Sequence, residues 1–321
     1  MNVIGASGQP AVHSIERVVF SVPDLDVAER FYTAFGLEVN RHGQQLDLKT
    51  FGNSHCWMSV IANGQPKALQ FLSFGIHQSD ETTFSELVEQ LNIGCEPAAM
   101  AENTTSKHGI WLRSPDGTPL QLLVTDKVSP SSKCTPHAKR SLARGTASAA
   151  MRSATSTVKP RTLSHVLIFT KSVQMMLNFC ESTLGLRLSD RSGDLVAFMH
   201  TPHGSDHHLL AFVGSDRPGL HHTSWDVGSL DEVGEGSEQL RAAGYTEGWG
   251  VGRHVLGSNY FYYARDPWGS FAEYSFDIDF VAPDSGWIAN DYPPEDSFYL
   301  WGPTVPEWFV NNNEVPSEII C

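Results

Sequence analysis

The sequence predicts an α+β protein made of two similar halves, each with helices packed on one face of a curved, mixed β-sheet. Three observations support this prediction. Residues 127–161 are rich in Ser, Ala, Thr, Lys and Pro, lack apolar periodicity, and divide the chain of 321 residues. On each side lies a unit of roughly 115 residues with alternating strand-like and helix-like patterns. The two units also repeat one another, which indicates a duplicated fold.

The opening elements of the two units correspond in order. The first unit begins with an apolar strand at 15–20, followed by a helix around 28–34. The second begins with a strand at 163–168, followed by a helix at 173–183. A short strand follows each helix, so both units start with the same strand–helix–strand arrangement.

The later elements correspond as well. The pattern Glu-Gln-Leu occurs at 89–91 and again at 238–240, and we predict a helix at each place. A turn containing Pro and Gly then precedes the last strand of each unit, at 114–117 and at 266–269. Pro and Gly supply the bend that a chain needs before it enters a strand.

These patterns predict domains at 1–126 and 162–282, a linker at 127–161, and an aromatic and Pro-rich tail at 283–321. The linker has eight Lys or Arg residues and no acidic residue. Either a solvated segment or contact with an acidic neighbouring surface is consistent with that composition. We expect the tail to fold over the mouth of a cavity or to form a subunit contact, because buried aromatic segments exclude water.

Composition excludes several classes of function. The net charge of −14 argues against nucleic acid or an anionic membrane as a partner. The sequence contains no run of 18 apolar residues, the length that a membrane-spanning helix needs. The first ten residues do not have the pattern of a signal peptide. The five cysteines are odd in number, scattered and without a CxxC motif. They argue against disulfides and thiolate zinc, and favour a reducing cytoplasm.

Two imidazoles and a carboxylate on predicted strands of the second unit suggest a metal site. They are His165, one of the adjacent pair His221 and His222, and Glu273. Neighbouring strand residues point to opposite faces, so only one of the pair can enter a shared cavity. Two histidines and one carboxylate leave open positions on a metal, whereas a structural zinc site is closed and usually uses thiolates. The alternatives are a core histidine at 165 and a solvated carboxylate at 273.

The repeat shows which unit carries this chemistry. Arg17 falls at the position of His165, and Gln121 falls at the position of Glu273. Gln70 is the looser counterpart of His222. We therefore predict one catalytic and one structural module.

A longer pattern at the end of the second unit identifies a family. It consists of Gly252-Arg253-His254, then Tyr263, then Asp266-Pro267-Trp268-Gly269, then Glu273. Over residues 14–282 the chain resembles the vicinal oxygen chelate superfamily, also called the glyoxalase/bleomycin resistance superfamily. Within it, the chain resembles the type I extradiol ring-cleaving dioxygenases. Tyr262 stands where that family usually has an aliphatic residue or Phe.

The resemblance implies two tandem domains of paired βαβββ modules, in which each sheet curls around a cavity. It also implies that Fe(II), or less often Mn(II), is bound in the second domain. It selects His222 as the second histidine ligand. It also implies that His208 is the acid/base, with His207 in reserve. His254 would contact the substrate's hydroxyl or ring, and Tyr263 would hydrogen-bond to the oxygen at the metal.

The implied activity is oxygen-dependent cleavage of a catechol-type diol, with O2 as co-substrate, in aromatic catabolism. The alternatives are a hydroquinone- or 2-oxo-acid-type dioxygenase, and a non-catalytic ligand-binding protein of the same fold. The expected partners are a small aromatic diol and further copies of the chain, as a tetramer or dimer. One family branch has arginines before a similar Leu-Trp-Gly, where this chain has Asp296 and Ser297. That difference predicts a substrate without a carboxylate at this end.

Overall fold

The computed structural model describes residues 10–98, 108–133, 149, 151–283 and 285–314. These residues form a seven-stranded sheet, a ten-stranded sheet and a two-stranded ladder. The predicted α+β class with curved mixed sheets is confirmed. Outside the described residues lie the middle of the predicted linker, the end of the predicted tail, Cys134 and Cys321.

The first half forms the seven-stranded sheet, in the order β2-β3-β4-β1-β5-β7-β6. Its central strand, β1, pairs in parallel with β4 and antiparallel with β5. The elements of this half are β1 (Ser14–Val22), α1 (Leu25–Phe35), β2 (Glu38–His42), β3 (Gln45–Lys49), β4 (Met58–Ala62), β5 (Ala68–Ile76), α2 (Glu81–Leu91), β6 (Ile110–Arg113) and β7 (Pro119–Val124).

The second half forms the ten-stranded sheet, in the order β18-β9-β10-β12-β8-β13-β16-β15-β14-β19. Apart from β11, the elements from β8 to β16 run strand, helix and three strands, twice over. The elements are β8 (Thr162–Thr170), α3 (Val173–Thr183), β9 (Arg187–Ser192), β10 (Val196–His200), β11 (Ser205–Asp206), β12 (Leu210–Gly214), β13 (Gly219–Asp226), α4 (Leu230–Ala242), β14 (Gly248–His254), β15 (Tyr260–Arg265), β16 (Phe271–Phe276), β17 (Phe280–Val281), β18 (Asn290–Asp291), α5 (Pro294–Ser297) and β19 (Tyr299–Trp301).

The helices begin where the sequence offers a capping side chain. Asp24 accepts hydrogen bonds from two backbone N–H groups at the start of α1, and Ser172 and Ser229 each accept one at the starts of α3 and α4. Such caps satisfy donors that the first turn of a helix leaves unpaired. The predicted helix at 173–183 is confirmed at both ends, and the other three predicted helices lie within α1, α2 and α4.

The two halves pack closely against each other. The ring of Tyr274 stacks on that of Phe35 with centroids 4.1 Å apart, and its hydroxyl donates to the Phe35 carbonyl at 2.7 Å. One apolar core runs through both halves. The predicted domain boundaries stay a prediction. Within the predicted linker, Lys133 lies 2.8 Å from the carboxylate of Asp206, so contact with acidic residues is confirmed for this lysine.

In the described ranges, no helix combines the length and apolar character needed to cross a membrane.

Candidate metal centre and active site

Three adjacent strands in the middle of the second sheet bring the predicted ligands together. On β8 and β13, His165 lies opposite Ser224, and on β13 and β16, Ser224 lies opposite Glu273. His222 is two residues before Ser224 on the same strand, so it faces the same side of the sheet. Because Ser224 is small, the side chains on either side of it can converge above it.

The ligand atoms of this triad are close and buried. His165 Nε2 is 3.2 Å and His222 Nε2 is 3.7 Å from Glu273 Oε2, and all three ligand atoms lie within 4.8 Å of one another. Neither His222 Nε2 nor Glu273 Oε2 has a hydrogen-bond partner among the described residues. Unpaired buried polar atoms cost free energy, and a divalent cation between them would remove that cost. This donor set fits Fe(II) or Mn(II).

Hydrogen bonds on the far side of each imidazole leave its Nε2 free for a metal. His165 Nδ1 contacts the hydroxyl of Ser164 at 3.2 Å. His222 Nδ1 contacts His221 Nδ1 at 2.7 Å, and His221 Nε2 contacts the Phe309 carbonyl at 2.9 Å. Since a carbonyl only accepts, a neutral His221 carries its proton on Nε2 and accepts the Nδ1 proton of His222. Burial lowers the pKa of His221 to about 4, which keeps it neutral.

Glu273 is held by a residue that the sequence reasoning did not single out. Asn259 donates from Nδ2 to Glu273 Oε1 at 3.0 Å, and also to the Ser275 hydroxyl at 3.0 Å. Burial alone would raise the pKa of Glu273, but the neighbouring imidazole of His165 lowers it overall. Glu273 therefore presents a carboxylate to the site. Only the pairing of β15 with β16 brings Asn259 close, and no motif indicates it.

The predicted acid/base residue lies beside the triad. The His208 ring centroid is 4.0 Å from that of His165, and His208 borders the cavity. Burial, followed by the charges of His165 and His207, lowers the pKa of His208 well below its usual value. His207 is fully buried behind His208 and is not among the residues that line the cavity.

His254 and Tyr263 form a hydrogen-bonded pair on the other side of the triad. His254 Nε2 lies 2.9 Å from the Tyr263 hydroxyl, and His254 Nδ1 lies 2.8 Å from the Phe298 carbonyl. The carbonyl can only accept a hydrogen bond, so a neutral His254 carries its proton on Nδ1. The Tyr263 hydroxyl therefore donates its hydrogen bond to His254 Nε2. Burial, together with the charge of Glu273, raises the pKa of Tyr263 well above its usual value.

A cavity of about 440 Å³ opens onto these groups. Its walls are mostly apolar, and none of its lining residues in the described part of the chain is Lys, Arg, Asp or Glu. Part of the wall comes from the predicted tail, through Pro294, Ser297, Phe298, Phe309 and Val310. His221 also borders the cavity, but only His222 of that pair joins the triad.

Comparison with known proteins identifies the family. Residues 162–274 match the Glyoxalase/Bleomycin resistance protein/Dioxygenase superfamily. The chain is 49% identical over 306 residues to metapyrocatechase 2 of Cupriavidus necator, covering 95% of this chain and 93% of that protein. The chain belongs to the type I extradiol dioxygenase family.

Solved structures share the fold of this dioxygenase family member across nearly its whole length. A Mn(II)-bound glyoxalase from Novosphingobium aromaticivorans is 25% identical, with a TM-score of 0.75 over 96% of this chain and 97% of that one. A homoprotocatechuate 2,3-dioxygenase variant from Brevibacterium fuscum is 19% identical, with a TM-score of 0.75 over 97% and 84%. A 2,2',3-trihydroxybiphenyl 1,2-dioxygenase from Sphingomonas wittichii is 18% identical, with a TM-score of 0.69 over 91% and 99%.

The first half of this dioxygenase family member has other residues at the positions of the metal ligands. Arg17, Ser73 and Gln121 lie in one row across β1, β5 and β7, as His165, Ser224 and Glu273 do in the second half. In that register Phe71 takes the place of His222, so the predicted counterpart Gln70 is wrong by one residue. Such a slip is easy from sequence, because β-bulges interrupt the pairing. The Phe71 ring packs 5.0 Å from that of Trp111, and both side chains are buried.

Proposed function

We propose that this protein is an extradiol dioxygenase that cleaves a catechol-type ring beside one hydroxyl and inserts both atoms of O2. The observation that carries the proposal is the triad of His165, His222 and Glu273, whose buried ligand atoms converge beside a mostly apolar cavity. The 49% identity to a metapyrocatechase supports the same activity. Fe(II) is the proposed metal, with Mn(II) as the alternative.

The triad is suited to hold two reactants on one ion. Fe(II) bound by these residues would supply neighbouring open positions for a diol and for O2. The carboxylate of Glu273 offsets half of a divalent charge, and a diol that has lost a proton offsets more. Asn259 fixes this carboxylate, and the hydrogen bonds at each Nδ1 keep the imidazoles in the ligating tautomer.

The remaining polar groups are placed to handle protons. His208 is neutral and borders the cavity, so it can take the proton that a diol hydroxyl gives up and return it to the product. The Tyr263 hydroxyl donates a hydrogen bond to His254, so the lone pairs of its oxygen can accept a hydrogen bond from a substrate hydroxyl. The apolar walls hold the aromatic ring and exclude water.

The cavity also limits the ring substituents. No cationic side chain lines it in the described ranges, and Ser297, which stands where one family branch has arginines, is part of the wall. An anionic substituent would therefore be buried without a partner, which costs several kcal/mol. We propose that the substrate carries neutral substituents, and that the exposed apolar residues of the tail, such as Ile288 and Leu300, form contacts in a homo-oligomer.

The decisive experiment is anaerobic reconstitution with Fe(II) or Mn(II), followed by O2 uptake with substituted catechols, hydroquinones and 2-oxo acids. We expect one O2 consumed per catechol, no hydrogen peroxide, and a ring-opened product. Glu273→Gln should lose bound metal and activity together. Glu247→Gln, the same change at an exposed position, should alter neither.

Two outcomes would overturn the proposal. One is an iron-loaded protein that consumes no O2 with any diol in the panel. The other is a Glu273→Gln variant that retains wild-type turnover. Cleavage of hydroquinones or 2-oxo acids in place of catechols would support one of the alternative dioxygenase activities.

A further inference from the structure

A buried row of three side chains extends from His208 away from the cavity. His208 Nδ1 lies 3.0 Å from His207 Nδ1, and His207 Nε2 lies 2.8 Å from Asp190 Oδ2. His207 is fully buried and Asp190 is 4% exposed. The other carboxylate oxygen, Asp190 Oδ1, accepts the backbone N–H of Asn290 at 2.7 Å, so both oxygens of Asp190 are held in place.

These contacts determine which nitrogen of His208 carries its proton. A carboxylate only accepts, so His207 must donate to Asp190 from Nε2. When His207 holds a single ring proton, its Nδ1 then has a lone pair and can only accept. His208 must donate from Nδ1, which leaves the lone pair on Nε2 at the end of the ring that borders the cavity.

The same arrangement recurs at the metal site. His221 and His222 also meet Nδ1 to Nδ1, and His221 also ends on an acceptor, the Phe309 carbonyl. There the result is a free Nε2 on a triad residue. The second occurrence shows that an outer histidine with a fixed acceptor can set the tautomer of an inner one within this fold.

We propose that Asp190 and His207 are positioning residues that hold His208 as the tautomer whose Nε2 can accept a proton from the substrate. The catalytic part of this inference rests on the proposed dioxygenase function. The tautomer itself does not, because it follows from the contacts and from a single ring proton on His207. His207 thus acts through His208 and does not replace it as acid/base.

Asp190→Asn tests the proposal. Asn has nearly the same shape as Asp, so the surrounding contacts can persist. The amide oxygen must still accept from the Asn290 N–H, so the amide N–H₂ now faces His207 Nε2 and donates to it. His207 then carries its proton on Nδ1, and His208 is forced to hold its own on Nε2. We expect kcat to fall about 10²-fold or more, while KM for the diol and the iron content stay within about twofold.

The matched control is Asp194→Asn, the same substitution on the following β-turn at a side chain that is 85% exposed. It should keep wild-type kcat and KM. Equal losses in kcat, iron content and diol affinity for Asp190→Asn would point to a purely structural role and overturn the proposal.

A spectroscopic readout tests the tautomer without any turnover. In zinc-loaded, ¹⁵N-histidine-labelled protein, nitrogen–proton couplings show which ring nitrogen is protonated, and the His208 signals are those missing from His208→Asn. We expect protonation on Nδ1 in the wild type and on Nε2 in Asp190→Asn. A wild-type His208 protonated on Nε2 would overturn the proposal even if the variant did not fold. The expected tautomers without cleavage of any diol would leave the positioning intact and reject the proposed function.

Discussion

At the scale of single residues, the site is built from histidines whose outward-facing nitrogens are each assigned a partner. Two of those partners are backbone carbonyls, those of Phe298 and Phe309, and one is the carboxylate of Asp190. Because a carbonyl or carboxylate only accepts, each partner fixes where a proton resides. The protein therefore sets the protonation pattern of the cavity from outside it.

The first prediction concerns His221. Its ring packs against Phe169, Phe271 and Phe309, so His221→Phe should fit the space while removing the hydrogen bond to His222. His222 would then be free to adopt the wrong tautomer. We expect metal affinity to fall by about 10- to 100-fold, as measured by competition with a chelator.

His55→Phe provides the comparison for that prediction. His55 also bonds to a backbone carbonyl, that of Glu16, and packs against Trp57, but it lies in the first half. Its loss should reduce stability without affecting metal affinity. If both variants bound metal as the wild type does, His221 would have no role in the tautomer of His222.

The second prediction concerns pH. Burial raises the pKa of Glu16 from 4.5 to about 7. The folded state then holds this proton more tightly than the unfolded state, so the contribution to stability is full below pH 4.5 and is lost as the pH rises to about 7. Glu16→Gln should remove that loss and stabilise the protein at pH 8 by about 3 kcal/mol.

Urea unfolding of both proteins at pH 5 and pH 8 measures this effect. Other groups that titrate in this range are shared by the two proteins, so the difference between them isolates Glu16. A variant that is less stable than the wild type at pH 8 would contradict the assignment.

The sequence indicated His165, Glu273 and one residue of the pair His221 and His222 as candidates, because alternation along a strand places neighbours on opposite faces. The family resemblance then selected His222. The residues that hold the site's side chains in place could not be predicted in this way. Asn259 reaches Glu273, and Asp190 reaches His207, only through the pairing of separate strands and loops. Nothing local in the sequence distinguishes these residues from ordinary buried polar groups.

At the scale of elements, the tail is part of the second sheet and of the cavity wall. Its strands β18 and β19 pair with β9 and β14 at opposite edges of that sheet. The composition of the tail predicted aromatic burial, but strands of two and three residues are too short to show periodicity. The segment between them carries Phe298 to His254, and the following turn carries Phe309 to the rings around Tyr263.

The third prediction tests the anchoring of the tail. Phe309 is 3% exposed and packs against Trp249, Tyr263 and Phe271, whereas Trp301 is 44% exposed. Phe309→Ala should lower the free energy of unfolding by about 3 kcal/mol, because it empties a buried aromatic site. Trp301→Ala should change it by less than about 1 kcal/mol. Comparable losses in chemical denaturation would mean that the tail is not anchored through Phe309.

At the scale of the whole molecule, the two halves share a core as well as a fold. The repeat in the sequence predicted two similar units, but it could not show that they pack together. That packing depends on which faces of α1 and β16 meet, and it is visible only in contacts such as the stacked rings of Phe35 and Tyr274. A buried ion pair across the same boundary adds a second, electrostatic connection.

The fourth prediction concerns that ion pair. Lys67 of the first half lies 3.4 Å from Asp266 of the second, with side chains 3% and 2% exposed, and it also donates to the Ser270 hydroxyl. Lys67→Met keeps the apolar stem but leaves a buried carboxylate without its counter-charge. Breaking such a pair costs about 3 to 5 kcal/mol, whereas replacing both charges is far less costly. Adding Asp266→Asn, whose Oδ1 can still accept from the backbone of its turn, should therefore recover most of the lost stability.

Because the halves share a core, chemical denaturation should show one transition that shifts as a whole. Separate transitions, or a double variant less stable than Lys67→Met, would show that the halves do not depend on this pair.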